Sequence, residues 1–194
     1  ESSMATHSDV FNVASNGVLT PVQGTPFIQM SGNIGNSAQI VLLSPDERFL
    51  FVSNQFSNTI TVWNVAPNGT LTLVPGSSFW CGGSSSFRTP AGMATNKDGT
   101  LLFVATDHFA RGSRAISVFR IGGNGFLTLV PGSPFETGQG EELCSIAAYP
   151  AKSVATFDLC LQDDSSGSIL RVNSETGTYQ FTSCSGIVLG GTGT

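Results

Sequence analysis

A twelve-residue phrase occurs three times and constrains the chain more than any other feature. Asn16-Gly-Val-Leu-Thr-Pro-Val-Gln-Gly-Thr-Pro-Phe27 returns as Asn68-Gly-Thr-Leu-Thr-Leu-Val-Pro-Gly-Ser-Ser-Phe79 and as Asn124-Gly-Phe-Leu-Thr-Leu-Val-Pro-Gly-Ser-Pro-Phe135. Seven of the twelve positions are identical in all three copies, and the copies open 52 and 56 residues apart. That spacing is in the range of propeller blades and similar arrays.

Each copy follows an alternating run: Asp9-Val-Phe-Asn-Val-Ala14, Thr59-Ile-Thr-Val-Trp-Asn-Val65 and Ala115-Ile-Ser-Val-Phe-Arg-Ile121. Asn-Gly after an alternating run is a strong hairpin signal, and its usual form is a type I′ turn with φ > 0 at both central residues. The repeat unit therefore reads as a hairpin whose second strand is Leu-Thr-x-Val. A bend or bulge is expected near the following Pro-Gly step, because Leu and Val lie three residues apart and share a face only through a break. Two further strands fall between hairpins: Ala38–Ser44 with Arg48–Ser53, joined by Ser44-Pro-Asp-Glu47, and Pro90–Thr95 with Thr100–Ala105, joined by Asn96-Lys-Asp-Gly99. Four antiparallel strands in roughly 50 residues make one propeller blade. No stretch of ten residues carries a 3.6-residue apolar period, so the expected class is all-β with antiparallel four-stranded blades.

Composition narrows the functional classes. At 194 residues the chain is long enough for one ordinary domain and core, and 40% hydrophobic residues argue against disorder. Only 11% of residues are charged, well below the roughly 25% usual in soluble domains. A surface of neutral hydroxyls and amides suits a secreted protein or a subunit that packs against neighbours. Net charge is −5 with eight scattered Lys and Arg, so no basic stripe exists and nucleic acid is excluded as an expected partner. The apolar runs are far shorter than the ~20 residues of a membrane helix. The chain opens at Glu1 without a basic-then-apolar leader, so any signal peptide is expected to have been removed. Cys81, Cys144, Cys160 and Cys184 allow three pairings and fit an oxidising compartment. None lies in a CxxC, and His7 and His108 are distant, so structural cysteines are expected rather than a zinc site.

The segment Leu50-Phe-Val-Ser-Asn-Gln-Phe-Ser-Asn-Thr-Ile-Thr-Val-Trp-Asn-Val65 resembles the "YVTN"-type blade of lactonase-like seven-bladed β-propellers. The NG-x-LT-x-V-x-G phrase resembles that family's fourth strand. The likeness covers roughly residues 9–150 and implies propeller blades; within the family it implies sugar-lactone hydrolases as well as extracellular proteins of other roles. None of the hydrolases' catalytic residues can be placed on this chain.

The resemblance exposes a deficit of blades. The chain opens on the last two strands of one blade, continues through two whole blades, and adds Glu142–Tyr149 as the first strand of another. Closed propellers use about four to eight blades. The expected organisation is an N-terminal arm at 1–8, an incomplete propeller at 9–152, and a small C-terminal β-module at 153–194 that lacks the repeated phrase and carries Cys160 and Cys184.

Candidate sites are few. Asp163-Asp-Ser-Ser-Gly-Ser168 gathers carboxylates and hydroxyls as a Ca²⁺ loop would, but lacks the distant acidic ligand and reads first as a solvated turn. Asp107-His-Phe-Ala-Arg-Gly-Ser-Arg114 holds His108, a conceivable general acid–base, with no nucleophile nearby; a plain surface loop is the simpler reading. No G-x-S-x-G elbow exists. Asn68-Gly-Thr70 matches a glycosylation sequon, although the turn itself already explains the asparagine. Phe11, Trp63 and Phe119 occupy equivalent repeat positions, read as inter-blade packing ahead of a carbohydrate-stacking surface. No catalytic, cofactor or metal residue is assigned, which leans away from an enzyme.

Three functions are consistent with this pattern. The one expected first is a secreted, self-associating structural protein whose incomplete blades are joined between copies by strand addition, as filament or ring. The first alternative is a fragment of a lactonase-like propeller hydrolase. The second is a carbohydrate- or partner-binding module.

Overall fold

The computed structural model describes residues 7–28, 38–55, 57–82, 88–108, 113–139, 145–153, 156–162, 167–173 and 179–183. Among them every regular element is a β-strand, and the pairings are antiparallel. No described helix is long and apolar enough to cross a membrane.

The repeated phrase folds the same way three times. β2 (Phe11–Val13) pairs with β3 (Leu19–Pro21), β7 (Thr59–Val65) with β8 (Leu71–Leu73), and β12 (Ser113–Ile121) with β13 (Leu127–Leu129). Their registers coincide: Phe11 faces Pro21, Trp63 faces Leu73, and Phe119 faces Leu129. The hairpins stand where the sequence places them, but their turn is not type I′. Only the glycine has positive φ (Gly17 83°, Gly69 81°, Gly125 81°), and its N–H bonds the carbonyl three residues back, as from Gly69 to Ala66 at 2.8 Å. This is a type I turn closed by a left-handed glycine, the three-residue hairpin loop. The asparagine holds it: Oδ1 of Asn16, Asn68 and Asn124 each accepts the N–H two residues on, at 3.1 Å. That bond keeps the asparagine out of the left-handed region and leaves it to the glycine.

The expected break at the Pro-Gly step is real. The N–H of Val74 bonds Val62, a second turn follows through Gly76 (φ 81°), and the chain returns to the same central strand as β9 (Phe79–Trp80), with Phe79 opposite Ile60. β14 (Phe135–Gln139) repeats this on β12, and the short β4 (Phe27–Ile28) pairs with β1 (His7–Ser8). The hydroxyl two residues before the Phe is structural: Thr25, Ser77 and Ser133 accept the N–H of Val10, Val62 and Val118 at 3.1, 2.7 and 2.9 Å. It satisfies the one central-strand donor that the break strips of a ladder partner.

The inner strands complete the sheets. β5 (Ala38–Leu43) and β6 (Phe49–Asn54) precede β7; β10 (Arg88–Thr95) and β11 (Leu101–His108) precede β12. The β5–β6 turn is braced by Ser44 Oγ, which accepts the Phe49 N–H at 2.9 Å; Asn96 Oδ1 does the same for Leu101 at 2.9 Å. The last sheet along the chain is a meander of β15 (Ser145–Ser153), β16 (Thr156–Gln162), β17 (Gly167–Asn173) and β18 (Tyr179–Ser183). The expected boundary at residue 152 falls at the end of β15. His7 and Ser8, from the expected arm, form β1.

Three apolar layers hold consecutive sheets face to face. Val10, Val22 and Phe27 pack on Val52, Trp63 and Leu71. Phe49, Phe51, Ile60, Val62, Val74 and Phe79 pack on Met93, Leu102, Val104, Phe119 and Leu127. Phe103, Ile116, Val118, Val130 and Phe135 meet Ile146. A middle blade is thus apolar on both faces, which is why β6 and β11 read as continuous apolar runs rather than alternating ones. Trp63 and Phe119 are buried, at 4% and 1% exposure, whereas Phe11 at the same repeat position is 46% exposed. The packing reading of the aromatics holds for the two that have a sheet on that side. β10 lies between β5 and β15, so the first strands of three sheets form the inner wall of the array.

Candidate functional site

At one end of the blades a buried polar network fastens the passage from one sheet to the next. β6 ends in Ser53-Asn54 and β7 begins at Thr59, so the turn between them lies beside the segment that leaves β9 for β10. Asn54 is fully buried; its Nδ2 donates to Thr61 Oγ1 at 2.9 Å and Thr59 Oγ1 at 3.2 Å. Ser57 and Thr59 hydroxyls lie 2.8 Å apart, and Ser53 Oγ accepts the Ile40 N–H at 3.1 Å.

Asn58 stands in the left-handed region at φ 52°, where asparagine is one of the few tolerated side chains. Its carbonyl accepts the Cys81 N–H at 2.9 Å and its Nδ2 donates to the Gly82 carbonyl at 3.3 Å. From the next sheet, Ser117 Oγ donates to the Cys81 carbonyl. The Cys81-Gly82 connector is therefore gripped by both blades. Among the described residues, Asn54 Oδ1 and Asn58 Oδ1 are buried acceptors with no hydrogen-bond partner, an arrangement that internal water satisfies in folded proteins.

This network is neutral. The Cys81 thiol is fully buried, and burial pushes its pKa well above the ordinary thiol value, so it stays protonated and is no nucleophile. Among the described residues no three His, Cys, Asp or Glu side chains gather where a metal ion could be held. What the network does is position: it fixes the connector that delivers β10 to the inner wall.

The opposite end carries a cleft of about 460 Å³ between the first hairpin and the second sheet, lined by Val10, Phe11, Leu43, Asp46, Arg48 and Asn68 among others. Of its three charged side chains, Asp46, Glu47 and Arg48, two are engaged with each other, Asp46 and Arg48. Asp46 is held at a pKa of about 2, first by the Ser44 hydroxyl at 2.7 Å and then by Arg48, whose Nε lies 2.7 Å away. Arg48 also stacks over Phe49 at 4.9 Å and reaches the Gly123 carbonyl at 3.3 Å. These contacts brace a turn.

The sequence candidates distribute unevenly. The backbones of Asp107 and His108 end β11 and those of Ser113 and Arg114 begin β12, while their side chains lie outside the described residues. The same holds for the Asp163–Ser168 loop and for the side chains of Cys144, Cys160 and Cys184. Cys81 is a buried free thiol. Asn68 stands in its exposed turn. Sequence reading missed the Asn54, Asn58 and Ser117 network, although the polar run Ser53-Asn54 and Ser57-Asn58-Thr59 inside apolar strands was its visible trace.

Stacked antiparallel sheets with four strands in consecutive order, each packed on the next and, in two of them, extended by a short fifth strand, define β-propeller blades. The chain belongs to the seven-bladed β-propeller lactonase family, whose sequence model (Lactonase, 7-bladed beta-propeller) matches residues 4–140. Solved structures with the same fold include a putative 6-phosphogluconolactonase from Bacteroides fragilis (18% identity, TM-score 0.62, 90% of this chain and 46% of that one). Another putative 6-phosphogluconolactonase, from Bacteroides uniformis, superposes at 14% identity and TM-score 0.66 over 92% of this chain and 47% of that one. The periplasmic gluconolactonase of Pseudomonas aeruginosa does so at 17% identity and TM-score 0.58, over 91% and 51%. At these identities the likeness is one of fold. No curated protein matches the sequence.

The chain spans about half the length of these structures. That corrects the expectation of a self-associating structural protein. Its main support was the shortage of blades, and the family match with half-length coverage accounts for that shortage without assembly between copies. The lactonase-like alternative is the reading the family supports.

Proposed function

We propose that the chain forms about half of a seven-bladed propeller that hydrolyses a sugar lactone, opening the cyclic ester with water to give the hydroxy acid. The observation that carries this is the family match across all three copies of the repeated phrase, residues 4–140. In this reading β5, β10 and β15 line the propeller's central channel, and the Asn54–Asn58–Ser117 network holds the connectors at one mouth of it. The neutral, hydroxyl-rich composition and low charge suit action outside the cytosol, and secretion or cell-surface display is part of the proposal. The test is acid release from δ-gluconolactone by the intact protein, followed in a pH-stat against the uncatalysed rate. Turnover above background with saturation supports the reading; a rate equal to background with gluconolactone and its 6-phosphate overturns it.

A further inference from the structure

We propose that Asn68 is a site of N-linked glycosylation, modified in the secretory location inferred above. Three asparagines occupy the same turn position, Asn16, Asn68 and Asn124, but only Asn68 is followed two residues later by a hydroxyl, Thr70. Asn68-Gly69-Thr70 is also the only Asn-x-Ser/Thr in the 194 residues, the acceptor pattern of this modification.

The turn explains why structure and modification are compatible. Asn68 is exposed, and its part in the fold is carried by Oδ1, which accepts the Thr70 N–H at 3.1 Å. Nδ2 makes no hydrogen bond to the described residues, so the atom to be glycosylated is the one the fold leaves free. Turn closure itself rests on backbone bonds, Gly69 N–H to Ala66 at 2.8 Å and Ala66 N–H to Thr70 at 2.9 Å. An amide that gains a sugar keeps its Oδ1 acceptor, so the Asx bond survives. The site lies at the far end of β7 from the Asn54 network, about 20 Å along a seven-residue strand. A glycan there leaves the connector end of the blades uncovered.

The donor is an oligosaccharide linked through its anomeric carbon to a polyprenyl diphosphate, acted on by the transferase of the secretory compartment. The Nδ2–C1 bond forms as the C1–O bond to the diphosphate breaks. The polyprenyl diphosphate leaves with the bonding electron pair, and the amide loses one proton to base.

The experiment secretes the full chain from insect or yeast cells and reads the intact mass before and after peptide N-glycosidase, which leaves Asp at position 68 of the released peptide. One glycan at Asn68 is expected on the wild-type chain and none on Thr70→Ala, which keeps the asparagine and its Oδ1 bond. Val18→Thr and Phe126→Thr, at exposed side chains, create the pattern in the two sister turns and should each add a second glycan. A secreted wild-type chain without a glycan at Asn68, or a Thr70→Ala chain that retains one, overturns the proposal. Sister turns that stay unmodified overturn its structural half, that this turn presents a free Nδ2.

Discussion

Replacing the turn glycine with alanine in each copy of the repeat separates two costs that usually come mixed. Gly17, Gly69 and Gly125 share one backbone conformation, with φ of 83°, 81° and 81°. A left-handed L-residue costs about 1–2 kcal/mol, so Gly17→Ala, Gly69→Ala and Gly125→Ala each lose that amount from strain alone. Their surroundings differ. A Cβ at Gly17 meets nothing within 4 Å, and one at Gly69 comes 3.1 Å from a Val22 methyl. A Cβ at Gly125 would lie 2.7 and 2.8 Å from two ring carbons of Phe49 and 3.0 Å from Val74. Phe49 is 3% exposed and locked in the middle apolar layer, so it cannot swing away. Overpacking a core adds about 1–3 kcal/mol, which puts Gly125→Ala at about 2–5 kcal/mol in total. Urea unfolding followed by fluorescence of Trp63 and Trp80 should rank the losses as Gly17→Ala smallest, Gly69→Ala intermediate and Gly125→Ala largest. Three equal losses would show that the contact with the neighbouring blade contributes nothing and would refute the packing argument.

Two further outcomes follow from charge and burial. Asp46 is held near pH 2 when folded, below its ordinary value of 3.8, so its contribution is present above about pH 4 and fades as pH falls through 2. Because the pair is exposed the effect is below about 1 kcal/mol, and Asp46→Asn should flatten the fall of the urea midpoint between pH 4 and 2; an unchanged slope refutes the assignment. Cys81 is buried and protonated, so iodoacetamide at pH 8 should leave it unlabelled in the folded chain and label it fully in guanidinium, as read by peptide mass spectrometry. Rapid labelling of the native protein would contradict the burial.

The repeat was legible because its signals are local. Asn-Gly after an alternating run marks a hairpin within five residues, and the same register in all three copies confirms it. The turn type was misread because the dipeptide fits two turns, and only the asparagine's own φ separates them. The Asn54–Asn58–Ser117 network was largely invisible. Ser117 lies 36 residues from the Cys81 carbonyl it binds, and no periodicity within a strand announces a partner on the next sheet. The blade count was sound as arithmetic and led to the wrong function, because a shortage of blades says nothing about whether the shortage is filled by other copies.

By itself the sequence determined an all-β chain of repeated antiparallel blades, since alternation, Asn-Gly turns and the Leu-Thr-x-Val strand act over a few residues and hold wherever they occur. The tertiary structure decided what each repeated residue does. Phe11, Trp63 and Phe119 are the same letter class at the same place in the phrase, yet two are sealed in a core and one is open to solvent. Gly17 and Gly125 share a φ, yet only Gly125 is pressed against a phenylalanine. Identical local structure has different energy because burial depends on the sheet that lies next to it, and that neighbour is a property of the stack rather than of the strand.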